Sequence, residues 1–331
     1  MRRTTVNEYW KSMAKGLASY VPGMSDRLSS LRIHEKDVRT DARYHYSVWL
    51  RHLVMAKKNG IQTTPRIVAE VGPGSSLGTG LAALLSGAER YFAFDVVAHA
   101  RNTPNVEVLD ELVRLFGRCE DIPDDEEWPY VRPRLQSYRF PDDILPEESL
   151  VKFVTSERVA RLRNDLLRMN DGSRSGAAIR YFAPWSDEGL VEPESVDMVV
   201  SQAVMEHVDD LDKTYHALHR WLKVGGVVSQ DIDFMSHGLG KKWNEHWAYS
   251  DFTWKLMRGK IPYLINRAPS STHIDYLERY GFRIACELRE IDEIGSIQRT
   301  ELSKRYKHMS PQDLVTKNIF IQATKREKLG S

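Results

Sequence analysis

The sequence has few cysteines, no excess of charge of either sign and no long apolar run. Its 331 residues include only two cysteines, Cys119 and Cys286, too few for a disulfide framework or a four-thiolate zinc site. The 47 basic and 46 acidic residues nearly cancel, which argues against a dedicated binder of duplex DNA or of anionic membranes. Residues 1–13 lack the apolar stretch of a signal peptide, and no apolar run approaches the roughly 18 residues of a membrane-spanning helix. We therefore expect a soluble, cytoplasmic, globular protein without membrane insertion.

Short apolar segments separated by helical patterns follow Pro65 and continue almost to the end of the chain. This alternation is typical of a parallel α/β sheet. The predicted strands are Arg66–Val71, Arg90–Asp95, Ile179–Phe182, Val196–Ser201, Val227–Asp233, Arg283–Arg289 and Ile319–Ala323. The predicted fold class is a doubly wound, Rossmann-like α/β sheet of seven strands.

Two helical additions accompany this sheet. A helix over 41–58 is predicted from the spacing of its apolar residues, and Asn59–Gly60 would end it. The 84 positions between Asp95 and Ile179 far exceed an ordinary helical crossover and predict helices over 106–118 and 147–169. The predicted division is an N-terminal helical cap 1–62, a core 63–325 that contains a helical insertion 96–178, and a tail 326–331. The acidic run within 120–127 is expected to be a solvated surface.

A Gly-rich turn follows the first predicted strand. Gly72 and Gly74 lack Cβ atoms, so a ligand can approach the backbone closely. The helix predicted over 77–85 would offer free N–H groups and a positive dipole end to a carboxylate or phosphate. Asp95 ends the second strand, where an acid can accept hydrogen bonds from both ribose hydroxyls of a nucleoside. A tight turn that binds no ligand is the alternative.

A nicotinamide dinucleotide would satisfy the same pattern, but two residues argue against it. Glu70 would repel a pyrophosphate and attract an ammonium group. Pro73 removes a backbone donor from the phosphate cradle. The turn therefore favours a ligand with an ammonium group over the pyrophosphate of a dinucleotide.

Three segments now carry a resemblance to a known family. Residues 70–74 (EVGPG) with Asp95 resemble the cofactor motif of class I S-adenosylmethionine-dependent methyltransferases. Residues 195–208 (SVDMVVSQAVMEHV) resemble the fourth-strand motif of that superfamily, and residues 221–226 (WLKVGG) resemble the turn that leads into its fifth strand. The resemblance spans residues 66–233 and is specific to the superfamily, though not to a substrate.

The resemblance implies S-adenosylmethionine as the cofactor and S-adenosylhomocysteine as its product. It implies that Glu70 holds the amino group of the cofactor, that Gly72 and Gly74 contact its methionine portion, and that Asp95 binds its ribose. Trp185, in the loop 183–187, would stack on the adenine or be a core aromatic. The full set of expected cofactor-binding residues is Glu70, Gly72, Pro73, Gly74, Ser75, Asp95, Val96, Ala183, Pro184, Trp185, Ser201 and Gln202.

A methyltransferase that acts on a hydroxyl group needs a base. His207 lies at the end of the fourth strand that would face the cofactor, where it is either a base or a structural histidine. The other candidates for this chemistry are Glu206, His237 and His246, with Asp231 and Asp233 as further acids. Some quinone-pathway O-methyltransferases use a similar Glu-His pair with an upstream Glu to hold a metal. Because Gln202 and Ala203 stand near that place here, no metal is expected.

An aromatic and basic segment, residues 235–267, is expected to act as a substrate lid. The alternative is an amphipathic helix over 247–257 that buries its aromatic side chains against the insertion. Lysines among aromatic residues also suit single-stranded nucleic acid, but the Ser201–Val204 segment lacks the Asn/Asp-Pro-Pro-aromatic run of methyltransferases that act on nucleic-acid amines. Nucleic acid is therefore an unlikely partner.

The function predicted from the sequence is S-adenosylmethionine-dependent methylation, with a small-molecule or glycan hydroxyl as the acceptor. N-methylation of a small amine is the nearest alternative. A nicotinamide-dependent oxidoreductase or epimerase, and a non-catalytic partner subunit, are alternatives from other classes. The cap, the insertion and the lid are expected to enclose the substrate together.

Overall fold

The structure is a computed structural model that describes residues 6–21, 41–169, 178–185, 187–261 and 264–327. Its strands are β1 (Ile67–Val71), β2 (Arg90–Phe94), β3 (Ile179–Phe182), β4 (Val196–Gln202), β5 (Leu222–Asp233), β6 (Phe282–Ile291) and β7 (Thr316–Lys325). Its helices are α1 (Val6–Ala18), α2 (Ala42–Lys58), α3 (Gly78–Leu85), α4 (Asn102–Gly117), α5 (Glu147–Phe153), α6 (Ser156–Leu167), α7 (Leu211–Trp221), α8 (Asp251–Arg258), α9 (Ser270–Arg279) and α10 (Pro311–Val315). In the described part of the chain, no helix is long and apolar enough to cross a membrane.

The strands form one sheet in the order β3-β2-β1-β4-β5-β7-β6. β1 to β5 run parallel, and β7 is antiparallel to both of its neighbours. The predicted doubly wound sheet is confirmed, and all seven predicted strands are present, although β5 begins earlier than predicted, at Leu222. The strand order reverses between β1 and β4. Ligands of such sheets bind in the crevice outside the carboxyl ends of the strands at this point.

The sheet has an apolar layer on each face because successive strand residues point to opposite sides. Val68, Met198 and Val200 pack on one face with α2, α3 and the helices of the insertion. Ala69 and Val199 face the other way and pack with α7 and α9. Both faces of the parallel strands are therefore covered, and ligands have access at the edge.

Helix α2 matches its prediction. The Asp41 side chain accepts a hydrogen bond from the Arg43 N–H at 2.8 Å and caps the first turn, and Asn59 ends the helix. Its buried face includes Tyr46, Trp49, Leu50 and Leu53, which recur at helical spacing. The helix thus crosses the sheet face as a core element.

The acidic segment of the insertion is accessible to solvent, as expected, and three of its carboxylates also bind arginines of α2. The Arg51 side chain is fully buried and binds Asp125 at 2.9 Å, as well as the carbonyl groups of Pro123, Val131 and Pro133. Arg43 binds Glu120 and Glu127 in the same way. The run of carboxylates therefore holds the insertion against the core.

The helix predicted over 147–169 is two helices. α5 ends at Phe153, and Thr155 accepts a hydrogen bond from the Arg158 N–H as the N-cap of α6. A threonine side chain that binds the backbone in this way favours a helix start over a helix interior. The insertion helices pack on α2 and α3, and among the described residues of the insertion, 96–169 and 178, only Val96 and Val97 line the cavity described below. That the insertion encloses the substrate stays a prediction.

The aromatic segment 235–267 also differs from the single helix over 247–257. Ser250 caps α8, which begins only at Asp251. Trp254 and Met257 of α8 pack with Leu239, Leu264 and Ile265, against Met13 of α1 rather than against the insertion. Tyr263 lies outside the described residues. The segment therefore joins the N-terminal helix α1 to the core.

Candidate functional site

The Gly-rich turn between β1 and α3 requires glycine. Gly72 and Gly74 have φ angles of 72° and 68°, in the left-handed region that side chains disfavour. A Cβ atom on Gly72 would lie 2.4 Å from the Val204 side chain, which stands across the crevice at the end of β4. The turn and the segment after β4 are thus in direct contact, with the Val204 side chain in the space that a Cβ atom on Gly72 would need.

Asp95 follows β2 and ties this turn to the neighbouring strand. One carboxylate oxygen accepts a hydrogen bond from the Gly74 N–H at 3.0 Å, and the other accepts one from the Val96 N–H at 2.7 Å. Burial raises the pKa of Asp95 above its usual value. A carboxylate has about four acceptor positions, so both oxygens keep capacity for further donors.

A cavity of about 380 Å³ opens at this edge of the sheet, at the predicted crevice. A volume of a few hundred Å³ is typical of sites for small ligands. Five residues selected from the sequence line it, namely Gly72, Asp95, Val96, Trp185 and His207. The sequence reasoning missed the other lining residues, which are Val71, Phe94, Val97, Val204, Val208, Asp209, Asp210, Lys213 and Thr214. Five of these nine residues, Val208, Asp209, Asp210, Lys213 and Thr214, follow the Glu-His pair in the loop before α7 and in the first turn of α7, so their closeness to this pair is the signal that could have found them.

Trp185 combines the two roles that the sequence left open. Its ring packs edge-on against Phe94, with the ring centroids 5.7 Å apart, and against Trp221 at 5.4 Å. The same residue lines the cavity. It is therefore a core aromatic with one side available to a flat ligand.

Glu70 lies behind the turn rather than in the cavity lining. Its buried carboxylate accepts a hydrogen bond from the Tyr91 hydroxyl at 2.5 Å, and Thr79 and the Gly80 N–H of α3 also bind it. Burial raises the pKa of Glu70 to about 7. These contacts hold β1, β2 and α3 together, and the expected bond from Glu70 to the amino group of the cofactor stays a prediction.

The start of α3 is also occupied, contrary to the expectation of free N–H groups. Asn105 of α4 accepts a hydrogen bond from the Leu77 N–H at 2.7 Å, and the Ser76 side chain accepts one from the Gly78 N–H at 3.2 Å. Asn105 is fully buried. The insertion thus supplies the cap of this helix, which leaves the turn itself as the part open to a ligand.

The remaining expected cofactor residues lie next to the cavity without lining it. Pro73 and Ser75 complete the turn between β1 and α3, and Ala183-Pro184 is a cis peptide after β3. Ser201 is buried in β4, and its hydroxyl has no hydrogen-bond partner among the described residues. The expected cofactor-binding residues therefore lie at one edge of the sheet, but only Gly72, Asp95, Val96 and Trp185 among them line the cavity.

Gln202 points to the opposite face and belongs to a buried chain of hydrogen bonds. Gln322 donates to the Ser229 hydroxyl at 3.0 Å, and this hydroxyl lies 2.6 Å from Nδ1 of His52. The other ring nitrogen of His52 lies 3.1 Å from the Gln202 carbonyl oxygen, and the Gln202 amide donates to Asp231 at 2.7 Å. Such a chain suits a neutral imidazole that accepts at Nδ1 and donates at Nε2. Gln202 therefore links α2 to the sheet edge instead of lining the cavity floor.

A polar cluster borders the cavity beside His207. Glu206 and His207 lie in a short 3-10 turn after β4, and His237 follows β5. One potential ligand atom from each of the three lies within 4.8 Å of the others. Asp233 adds a carboxylate 3.7 Å from Nε2 of His237. Three of the four acid–base candidates from the sequence thus come together.

His246, the fourth candidate, is buried in a 3-10 turn against Trp247, with the ring centroids 4.7 Å apart. Burial lowers the pKa of His246 well below its usual value, and the nearby Arg267 guanidinium acts in the same direction. His246 does not line the cavity. A neutral, packed histidine of this kind fits a structural role.

One family model matches part of the chain. It is described as a methyltransferase domain and matches residues 187–229, which contain β4, α7 and the first part of β5. No protein of curated function is significantly similar to the chain in sequence.

Similar solved structures include three methyltransferases. A SAM-dependent methyltransferase from Methanosarcina mazei is 12% identical, with 82% of this chain and 97% of that chain covered and a TM-score of 0.41. An S-adenosylmethionine-dependent methyltransferase from Mesorhizobium loti is 12% identical, with 83% and 98% covered and a TM-score of 0.38. Phosphoethanolamine N-methyltransferase 2 of Haemonchus contortus, solved with S-adenosyl-L-methionine, is 15% identical, with 84% and 53% covered and a TM-score of 0.41.

The family match and the observed strand order agree with the motifs at residues 70–74, 195–208 and 221–226. They confirm the resemblance to the class I S-adenosylmethionine-dependent methyltransferases. The chain has a doubly wound α/β sheet with a methyltransferase-domain match over residues 187–229, and S-adenosylmethionine is the cofactor of the class that it resembles.

Proposed function

We propose that the chain is an S-adenosylmethionine-dependent methyltransferase that methylates a hydroxyl group of a small molecule or glycan. The observation that carries this proposal is the composition of the cavity wall. Gly72, Asp95 and Trp185 stand on the side of β1 to β3, and His207 borders the same cavity beside β4. A cofactor site and a group able to handle a proton therefore share one cavity at the strand-order reversal.

The cavity residues fit the parts of S-adenosylmethionine. The carboxylate of Asp95 keeps acceptor capacity for the ribose hydroxyls. Phe94 and Trp185 offer apolar surface to the adenine. Gly72 also lines the cavity, where it can offer its backbone to the methionine portion. When bound, the cofactor supplies a methyl group on a positively charged sulfonium centre, which makes that methyl carbon open to attack by a nucleophile.

The chain contributes positioning, desolvation and proton handling to methyl transfer. Glu206, His207 and His237 form the polar wall where the acceptor hydroxyl would lose its proton. We assign the acceptor side of the site to this wall and to the lid segment 235–267, against which α1 packs. In this assignment, the lid and the N-terminal cap enclose the acceptor substrate.

Calorimetric titration with S-adenosylmethionine and S-adenosylhomocysteine, with NAD as the comparison ligand, tests the cofactor. We expect both sulfur compounds to bind and NAD not to bind. Asp95→Ala should lose binding, whereas Asp143→Ala, which changes an exposed carboxylate of the insertion, should not. Uptake of NAD instead of either sulfur compound would assign the chain to the dinucleotide enzymes.

Transfer of a labelled methyl group to panels of hydroxyl and amine acceptors then tests the reaction. A product labelled on oxygen supports the proposed O-methylation, and a product labelled only on nitrogen contradicts it. Binding of the cofactor without transfer to any acceptor would favour a non-catalytic partner subunit.

A further inference from the structure

We propose that Glu206, His207 and His237 bind a divalent transition-metal ion at the edge of the cofactor cavity. The inference rests on the proposed function only for what the ion does, because the site itself follows from the geometry of these three residues. It adds a metal to a site for which the sequence predicted none.

The three side chains converge from two separate turns. Their potential ligand atoms lie within 4.8 Å of one another, and the His207 and His237 ring centroids are 5.2 Å apart. Metal–ligand bonds of about 2.1 Å place donor atoms roughly 3 to 4 Å from one another. Small side-chain rotations therefore suffice to bring this set to coordination distance.

The burial of the Glu206 carboxylate also supports a bound cation. Its side chain is only 3% exposed, and neither carboxylate oxygen meets the geometry of a hydrogen bond, although the backbone N–H groups of Glu206 and Asp233 lie near it. The charges that act on it come from Asp233 and Asp231, both of them acidic. Burying a carboxylate without a partner is costly, and buried charges in proteins are normally paired or bound to a metal. A cation between Glu206 and the two imidazoles removes this cost.

The backbone at His237 also indicates a constrained position. Its φ angle is 48°, in the left-handed region that is uncommon for residues other than glycine. Such conformations concentrate at active sites and ligand clamps, where the surrounding structure holds them. Asp233, whose oxygen lies 3.7 Å from Nε2 of His237, is placed to orient the imidazole or to serve as a further ligand.

The donor set selects the class of ion. Two imidazole nitrogens with carboxylate oxygen suit Zn²⁺, Mn²⁺ or Fe²⁺, whereas Mg²⁺ and Ca²⁺ prefer sites made of oxygen alone. Three protein ligands leave positions open for a substrate, as in catalytic metal sites.

The ion would act on the acceptor hydroxyl. Coordination weakens the O–H bond, and the proton leaves to solvent. The oxygen then forms a bond to the methyl carbon while the carbon–sulfur bond breaks, and its electron pair goes to sulfur to give S-adenosylhomocysteine. Because His207 borders the cofactor cavity, this places the acceptor next to the methyl group.

Metal titration of the full chain tests the site without an acceptor. Protein freed of metal by a chelator is titrated with Zn²⁺ and Mn²⁺ by calorimetry and with Co²⁺ by visible absorption, which reports the ligand field. We expect one ion per chain and an affinity for Zn²⁺ that falls at least tenfold in Glu206→Gln and in His237→Asn. His237 is exposed, so His237→Asn keeps the test valid if Glu206→Gln does not fold.

The matched control is His216→Asn, which removes an exposed histidine that lies 2.6 Å from Glu188. It should leave the affinity unchanged. Absence of stoichiometric binding, or equal affinity in wild type, Glu206→Gln and His237→Asn, overturns the metal site. S-adenosylmethionine binding by the metal-free chain is measured in parallel. If the metal-free and the metal-loaded chain both fail to bind S-adenosylmethionine, the proposed function is contradicted, while the metal site still stands. The two proposals can therefore fail separately.

Discussion

The backbone N–H of Gly74 donates a hydrogen bond to the carboxylate of Asp95 at 3.0 Å, so the Gly-rich turn and the end of β2 are fixed to each other. The two residues are separated along the chain by α3 and by β2 itself. Their bond means that a change at Asp95 acts both on the ribose contact and on the shape of the turn.

Asp95→Asn should therefore weaken S-adenosylmethionine binding less than Asp95→Ala. The amide oxygen of Asn keeps one acceptor, whereas Ala removes both. Hydrogen bonds to charged groups contribute about 1.5–3 kcal/mol, which corresponds to a loss of affinity of about 10- to 100-fold for Asp95→Ala. Calorimetric titration of the two variants measures this order. Equal affinity in Asp95→Ala and wild type would show that the carboxylate does not face the cofactor.

Gly72→Ala tests the contact between the turn and β4. The added Cβ would collide with Val204, and the φ angle of 72° disfavours any side chain. We expect a fall of about 1–3 kcal/mol in the free energy of unfolding and a loss of cofactor binding. The measurement is urea unfolding together with calorimetry.

The double variant Gly72→Ala/Val204→Ala separates the two causes. It should recover the part of the stability that is lost to the collision and retain the part that is due to the backbone angle. If the double variant is no more stable than Gly72→Ala after correction for Val204→Ala alone, the collision contributes nothing.

The parts of the site that could be predicted from the sequence are local ones. Gly72 and Gly74 follow a strand directly, and Asp95 ends the next one, so the order of strands alone places them at one edge. This pattern can be identified without knowing which distant segments of the chain are in contact. The same holds for the seven strands, whose apolar segments are continuous in the sequence.

The parts that could not be predicted depend on contacts between distant segments. Asn105 caps α3 from the insertion, and Arg51 of α2 holds the acidic loop, though nothing near either residue signals its partner. His237 meets Glu206 only because β4 and β5 are adjacent in the sheet. From the sequence, the Glu-His pair and His237 lie in separate segments, and no metal was expected because Gln202 and Ala203 stand where an upstream Glu would be.

Asn105→Ala should destabilise the fold because it leaves the buried Leu77 N–H without its acceptor. An unsatisfied buried donor costs about 1–3 kcal/mol. The matched control is Asn102→Ala on the same helix, because Asn102 donates to the Leu167 carbonyl at an exposed position and its loss should cost less than about 0.5 kcal/mol. Thermal or urea unfolding of both variants checks the difference. Similar stabilities would mean that the cap adds nothing to the fold.

The buried His52 predicts a fall in stability at acid pH. Burial lowers the pKa of His52 from 6.5 to about 4, and its hydrogen-bond partners suit the neutral ring. Between these two pH values the unfolded chain binds a proton that the folded chain does not. The contribution of His52 to stability is therefore fully present above pH 6.5 and is lost as the pH falls toward 4.

Other buried groups also make the free energy of unfolding depend on pH, so the effect of His52 must be measured against a variant that lacks it. His273, with a pKa lowered to about 3, acts in the same direction, whereas Glu70, with a pKa raised to about 7, loses stability as the pH rises through that value. The substitution His52→Gln removes only the pH dependence that is due to His52. Urea unfolding of wild type and His52→Gln at several pH values between 4 and 7 isolates it as their difference. We expect this difference to shrink as the pH falls, by up to about 3 kcal/mol over the range. A difference that stays constant would show that His52 is protonated to the same extent in the folded and unfolded chains.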